Sequence, residues 1–228
     1  MINKLPRWVE VGGFFLAVIA GSVNAIGLLG FRHEAVSHLT GVSTLLGLEL
    51  AQSDFPQVMH LLLIMLGFVL GAAYSSFIIG SASLQLGKRY GVALSSEAAL
   101  LIMSMVFLNE GSNVGHIFAS AACGLQNAMT TTYSGAIIRT THVTGLFTDL
   151  GITLGLKLRG HPADYRKILL YLILISGFIF GGMIGAVLFE NYKFSSMLFP
   201  AGLAAMMATI YWVYLLAKFH RNRKIRAG

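Results

Sequence analysis

The sequence predicts an all-α integral membrane protein: six transmembrane helices and two short re-entrant half-helices, built as an inverted-topology repeat of two halves. Three observations lead there. Hydrophobic residues make up 56% of the 228 and charged residues only 11%, whereas a soluble domain carries roughly 25% charged residues. The apolar residues gather in runs near the ~20 residues that a helix needs to cross a bilayer. Three sequence blocks also recur in the same order: GSVNA with GLQNA, SHLTG with THVTG, and GFVLGAAYS with GFIFGGMIG.

The elements follow along the chain. The first run, about 9–30, comes after Lys4 and Arg7 and imitates a secretory leader ending near Ala25. That reading fails because the run continues to Phe31 and its GSVNA block returns in the interior at Gly124–Ala128. A short, glycine-interrupted segment at about 38–52 carries Glu49. Long runs follow at about 57–84 and at 91–108, the latter holding Glu97. The second half repeats the plan: a run at about 114–137, a short segment at 142–157 with Asp149, and runs at 166–189 and 195–217. The expected organisation is a first membrane repeat over 1–110, a second, inverted repeat over 111–217, and a basic cytoplasmic tail over 218–228.

Basic residues decide between six and eight crossings. If all eight segments span, Arg32, Lys88, Arg89, Arg139 and Lys193 face outside and eleven basic residues face inside. If the two short segments dip in and return, only Arg32 and Lys193 stay outside, against fourteen inside. The excess of Lys and Arg on cytoplasmic connectors favours the second arrangement, with both termini cytoplasmic. Three spans per half is odd, so the second half enters from the opposite side, the construction of many transporters.

Small residues recur four apart at matched places: Ala17, Gly21 and Ala25 with Ser120, Gly124 and Ala128; Gly67, Gly71 and Ser75 with Gly177, Gly181 and Gly185. In lipid, where apolar burial supplies no attraction between helices, such stripes let backbones approach closely. Helix packing is the expected role of all twelve.

The repeated SHLTG and RTTHVTG stretches precede the short segments. Ser and Thr at a helix start can accept hydrogen bonds from its free N–H groups. Two half-helices inserted from opposite faces would bring Thr40–Gly41 and Thr144–Gly145 to one central site, with N–H donors and positive dipole ends turned inward. That site suits an anionic or polar solute, with Arg139, His142 and His38 adding charge or hydrogen bonds. Asn24, Gln126 and Asn127 lie mid-span, where polar side chains mark either a site or a bridge between helices. Glu97 has no basic residue within a helical turn and is the proton-coupling candidate, or else a protonated acid bonded to a neighbouring helix. Asp149 lies one turn past Gly145 and aligns with Leu45, not with Glu49; it joins the substrate-binding set, and Glu49 does not. His33, His60, His116, His161 and His220 sit near segment ends and read as interfacial.

The pattern VNAIGLLG…SHLTGVSTLLG followed by GLQNAM…RTTHVTGLFTDLG resembles the YoaK-like family of bacterial integral membrane proteins, a group of unknown function described as permeases. The resemblance covers nearly the whole chain and is most specific at Gly124–Ala128 and Arg139–Gly145. It implies a bacterial cytoplasmic (inner) membrane location. The family pattern carries Asp where this chain has Asn24, and Asn where it has Val42.

Function is therefore expected to be that of a small-solute transporter or channel, and not an enzyme. A membrane enzyme built on His38 or His142 with Asp149 would need a nucleophile–base pair or metal ligands, and no HExxH, GxSxG or nucleotide loop occurs. An accessory membrane subunit would leave the matched polar motifs surplus. The lone Cys123 offers no disulfide or CxxC site, and no metal or cofactor is expected. Expected partners are a small-molecule substrate, the lipid bilayer (which the basic tail contacts) and, left open, further copies of the chain; nucleic acid is not expected.

Overall fold

The computed structural model describes residues 6, 8–30, 36–80, 88–134 and 139–227, with side chains up to 218. Lys4, Arg7, Arg32 and the side chains of the basic tail beyond Lys218, on which part of the charge argument rests, lie outside the described residues, as does His33. Everything described is helical or connecting. The helices are α1 (Trp8–Leu29), α2 (Leu39–Gln52), α3 (Phe55–Ile79), α4 (Lys88–Asn109), α5 (Val114–Ser134), α6 (Val143–Leu158), α7 (Tyr165–Tyr192) and α8 (Leu198–Ala227), with a 3-10 turn, Lys193–Met197, between the last two.

Length separates two kinds of helix. At ~1.5 Å rise per residue, the 14 residues of α2 and 16 of α6 reach roughly 21 and 24 Å, short of a ~30 Å hydrocarbon core. The other six have 21 to 30 residues. Four stretches among the described residues are both long and apolar enough to cross a membrane: Trp8–Leu29, Phe55–Ile79, Lys88–Asn109 and the 54-residue run Tyr165–Lys218, which holds α7, the 3-10 turn and α8. Helix α5 is long enough but carries His116, Ser120, Gln126, Asn127 and Thr130–Thr132. It tolerates them because it is packed against α3, α4 and α1 and turns little surface outward.

The bundle is assembled from matched contacts. Helix α1 lies along α7, and α3 along α5; α4 joins α5 to α8; α2 rests on α3, and α6 on α7. At the two main crossings the glycines stand where no side chain fits. A Cβ at Gly21 would strike the Phe178 carbonyl, and one at Gly124 the Phe68 carbonyl. Gly181 meets Val18 as Gly71 meets Ala121. A Cβ at Gly177 would lie 2.8 Å from the Phe14 oxygen, and one at Gly67 2.8 Å from the Ile117 oxygen. The packing role expected of these stripes is what the helices display, at corresponding positions in the two crossings. Backbones this close can exchange Cα–H···O contacts, which supplement dispersion where the hydrophobic effect is absent.

The helix hairpins are matched too. Asp54 caps α3, its Oδ1 accepting from the Gln57 N–H at 3.2 Å, and Asp164 caps α7 by accepting from the Lys167 N–H at 3.2 Å. Helix α2 ends on Ser53 in the left-handed region (φ 61°), and the chain leaves α6 through Gly160 at φ 86°, a conformation glycine adopts without a Cβ penalty. One ion pair, Arg166 Nε to Glu10 Oε1 at 2.8 Å, ties the start of α7 to the start of α1.

Candidate functional site

The repeated His-x-Thr-Gly motif has a local geometry of its own. His38 and His142 are the N-cap residues of α2 and α6, and neither side chain makes a capping hydrogen bond. The expectation that Ser or Thr caps these helices is corrected: Thr40 and Thr144 already lie inside the first turn, and their carbonyls accept from Thr44 and Thr148 Oγ1, each at 3.0 Å. The first-turn N–H groups thus donate no hydrogen bond to the N-cap side chains. Each imidazole instead folds over the glycine three residues on. A Cβ at Gly41 would lie 2.8 Å from His38 Nδ1, and one at Gly145 would run into the His142 ring. A side chain at either glycine would have to displace the histidine ring that lies over it.

Two mid-span amides hold the chain just before each short helix. On α1, Asn24 Oδ1 accepts from Ser37 Oγ at 3.0 Å and from the Ser37 N–H at 3.4 Å. On α5, buried Gln126 donates from Nε2 to Thr140 Oγ1 at 2.6 Å and to the Leu16 carbonyl of α1 at 2.9 Å. Both act as bridges that fix where α2 and α6 begin. Asn127, half-buried, keeps a buried Oδ1 with no hydrogen-bond partner.

A polar cleft of about 370 Å³ opens at the start of α6, lined by Arg139, His142, Thr144, Gly145, Leu146, Thr148 and Asp149. Five of the expected binding residues are gathered there. His38, Thr40 and Gly41 stand at the matching place on α2 and do not line this cleft; neither do Asn24, Gln126 or Asn127. Asp149 is half-buried at one edge, where its Oδ2 accepts from the Tyr171 hydroxyl of α7 at 2.9 Å. Lys167 Nζ lies 5.6 Å from the centroid of that tyrosine ring. Tyr171 escaped the sequence reading because it sits in an uninterrupted apolar run; its only signal was the carboxylate opposite.

The cleft therefore combines a guanidinium, an imidazole and the positive end of α6 with a carboxylate one turn deeper. That set can receive acceptor atoms at one end and donors at the other. Glu97 is remote from it, fully buried on α4 with Oε2 unpartnered and without an ion pair among the described residues. Glu49 lies half-buried on α2. No group of three or more His, Cys, Asp or Glu able to hold a metal occurs among the described residues.

The profile of a protein family of unknown function, DUF1275, matches residues 12–210. The chain belongs to this family. The match runs from within α1 to within α8 and is consistent with the resemblance noted from the motifs. No curated protein and no solved structure matches the chain.

Proposed function

We propose that this DUF1275 member is a transporter or channel for a small anionic or polar solute in the bacterial cytoplasmic membrane. Six long helices span, α2 and α6 are re-entrant, the halves form an inverted-topology repeat, and both termini are cytoplasmic. Helix lengths, the matched glycine crossings and the distribution of basic residues support this topology. The observation that carries the functional reading is the polar cleft at the start of α6, where Arg139, His142 and uncapped amides surround an opening beside the Thr-Gly motif. Irregular backbone at membrane depth is tolerated where it lines a wet cavity, and an uncapped helix start favours anions. The twin motif on α2 supplies the equivalent half of the pathway from the other face. Buried Glu97 is the group proposed to couple proton movement to that of solute.

Reconstituted proteoliposomes offered radiolabelled carboxylates, amino acids and inorganic phosphate test this directly. Saturable uptake of one class, reduced at least about tenfold in Arg139→Gln (equivalent to 1.4 kcal/mol), is the expected result. No uptake of any class above protein-free vesicles would overturn the reading. Uptake driven by a pH gradient and undiminished in Glu97→Gln would remove Glu97 from it.

A further inference from the structure

The α6 cleft holds charges of both signs that do not meet. Arg139 and Asp149 both line it. Among the described residues neither makes an ion pair, Asp149 pairing neither with Arg139 nor with Lys167 on the neighbouring helix. The Tyr171 hydroxyl, donating to Asp149 Oδ2 at 2.9 Å, fixes the acid in place. The other oxygen, Oδ1, accepts from no described residue. An opposite charge is thus present in the same opening, and each of the two is left for something else to pair.

Packing does not account for the acid. Helix α2 carries Leu45 at the position that Asp149 holds on α6, and it rests on α3 through an apolar cluster. Spacing suits a small ligand instead. From the N-cap His142 to Asp149 the helix rises roughly 10.5 Å, and side chains on a helix lean back toward its N-terminus. The Asp149 carboxylate is therefore carried toward the first turn, where Arg139, His142 and the uncapped N–H groups attract negative charge. At about 370 Å³ the cleft is near the lower end of ligand pockets, roughly 300–1,000 Å³. A simple anion there would pair with Arg139 and be repelled by Asp149, inorganic phosphate most of all; a simple cation would meet the reverse. A molecule bearing one charge of each sign satisfies both groups at once.

We propose that the solute of the α6 cleft is a small amino carboxylate, bound as its zwitterion. Its carboxylate sits at Arg139, His142 and the first-turn N–H groups of α6, its ammonium donates to Asp149, and its short hydrocarbon part lies against Leu146. Tyr171 is a positioning residue, holding the Asp149 carboxylate through Oδ2. The assignment rests on the reading of this cleft as a solute site and narrows its solute from an anionic or polar molecule to one that carries both charges.

The experiment titrates the detergent-purified full chain with L-alanine, β-alanine, propionate and ethylammonium, followed by saturation-transfer NMR. Propionate lacks the ammonium of the two amino acids, and ethylammonium lacks their carboxylate. At least one of the alanines is expected to bind saturably and about tenfold or more tightly than either singly charged compound. Asp149→Asn, which keeps an acceptor for Tyr171, should lower that affinity to the level of propionate, and Arg139→Gln should lower it to the level of ethylammonium. Should Asp149→Asn fail to fold, the ranking of the four compounds on the unaltered protein decides. Propionate binding as tightly as both alanines would overturn the proposal, as would the absence of saturable binding by either alanine. A preference for the amino acid that is intact in Asp149→Asn would also overturn it. The two readings fail separately. Proteoliposome uptake of propionate or phosphate, without preference for either alanine, keeps the transporter and removes the zwitterion. Selective binding of an alanine without uptake of any solute keeps the zwitterion site and removes transport.

Discussion

Helices α2 and α6 occupy matching places, follow the same motif and rest on matching partners, yet they are fastened differently. Helix α2 lies on α3 through a small apolar cluster in which Val42, Leu61 and Ile64 are buried and Leu45 and Leu46 pack against them. In α6, Leu146 stands where Val42 does and is likewise buried. At the next turn, however, Asp149 replaces Leu45 and Tyr171 of α7 replaces Leu61, and a 2.9 Å hydrogen bond replaces the apolar contact. The α2–α3 contact is thus a hydrocarbon joint and the α6–α7 contact a polar one. The polar joint borders the cleft with Arg139 and His142. The difference between the two joints lies at two pairs of positions, Leu45 with Leu61 and Asp149 with Tyr171.

The comparison can be pressed from the scaffold downward. The largest effect is expected where the halves are alike: Gly71→Leu and Gly181→Leu each place a side chain into a facing backbone, at a cost of about 3 kcal/mol or more. Both should lose monodisperse protein on detergent extraction, and one variant surviving intact would show that the two crossings are not equivalent. Next, Gly145→Leu must displace the His142 ring, so solute uptake should drop about tenfold while extraction and melting stay near the unaltered protein. Gly41→Leu is expected to do the same through His38.

The polar joint gives a smaller and more selective response. Asp149→Leu leaves the Tyr171 hydroxyl unpaired and should cost about 1.5–3 kcal/mol of stability, read as a lower melting temperature. Adding Tyr171→Leu should recover most of that loss by imitating the apolar α2–α3 joint, while solute uptake is lost in both variants. If the double variant transports normally, the carboxylate has no part in the site. The smallest effect belongs to Asp149→Asn, which keeps an acceptor for Tyr171 and should cost about 1 kcal/mol or less.

Much of the scaffold was legible because lipid imposes a simple rule on it. Apolar runs had to be helices, and the runs read at 9–30, 57–84, 91–108, 166–189 and 195–217 correspond to α1, α3, α4, α7 and α8. The stripes Gly67–Gly71 and Gly177–Gly181 were readable as contact surfaces since little else brings backbones together in lipid. The α6 side of the site was legible because Arg139 to Asp149 is one continuous stretch. What escaped the reading depends on distant partners. Tyr171 looked like one more apolar residue, and Gln126 gave no hint that Thr140 and Leu16 would divide its amide. The histidine lying over the glycine was concealed for another reason: Thr-Gly suggested a cap, while the steric need came from the residue three positions earlier.

The central claim is that a short helix such as α2 enters the membrane and returns to the side it came from. It is tested most directly by labelling Ser53→Cys and Glu110→Cys, each in a Cys123→Ser background that removes the lone native thiol, with an impermeant maleimide applied to intact cells and to inverted vesicles. The account expects both positions to react from the periplasmic side only. Reaction of both from the cytoplasmic side would make α2 a full crossing and contradict it.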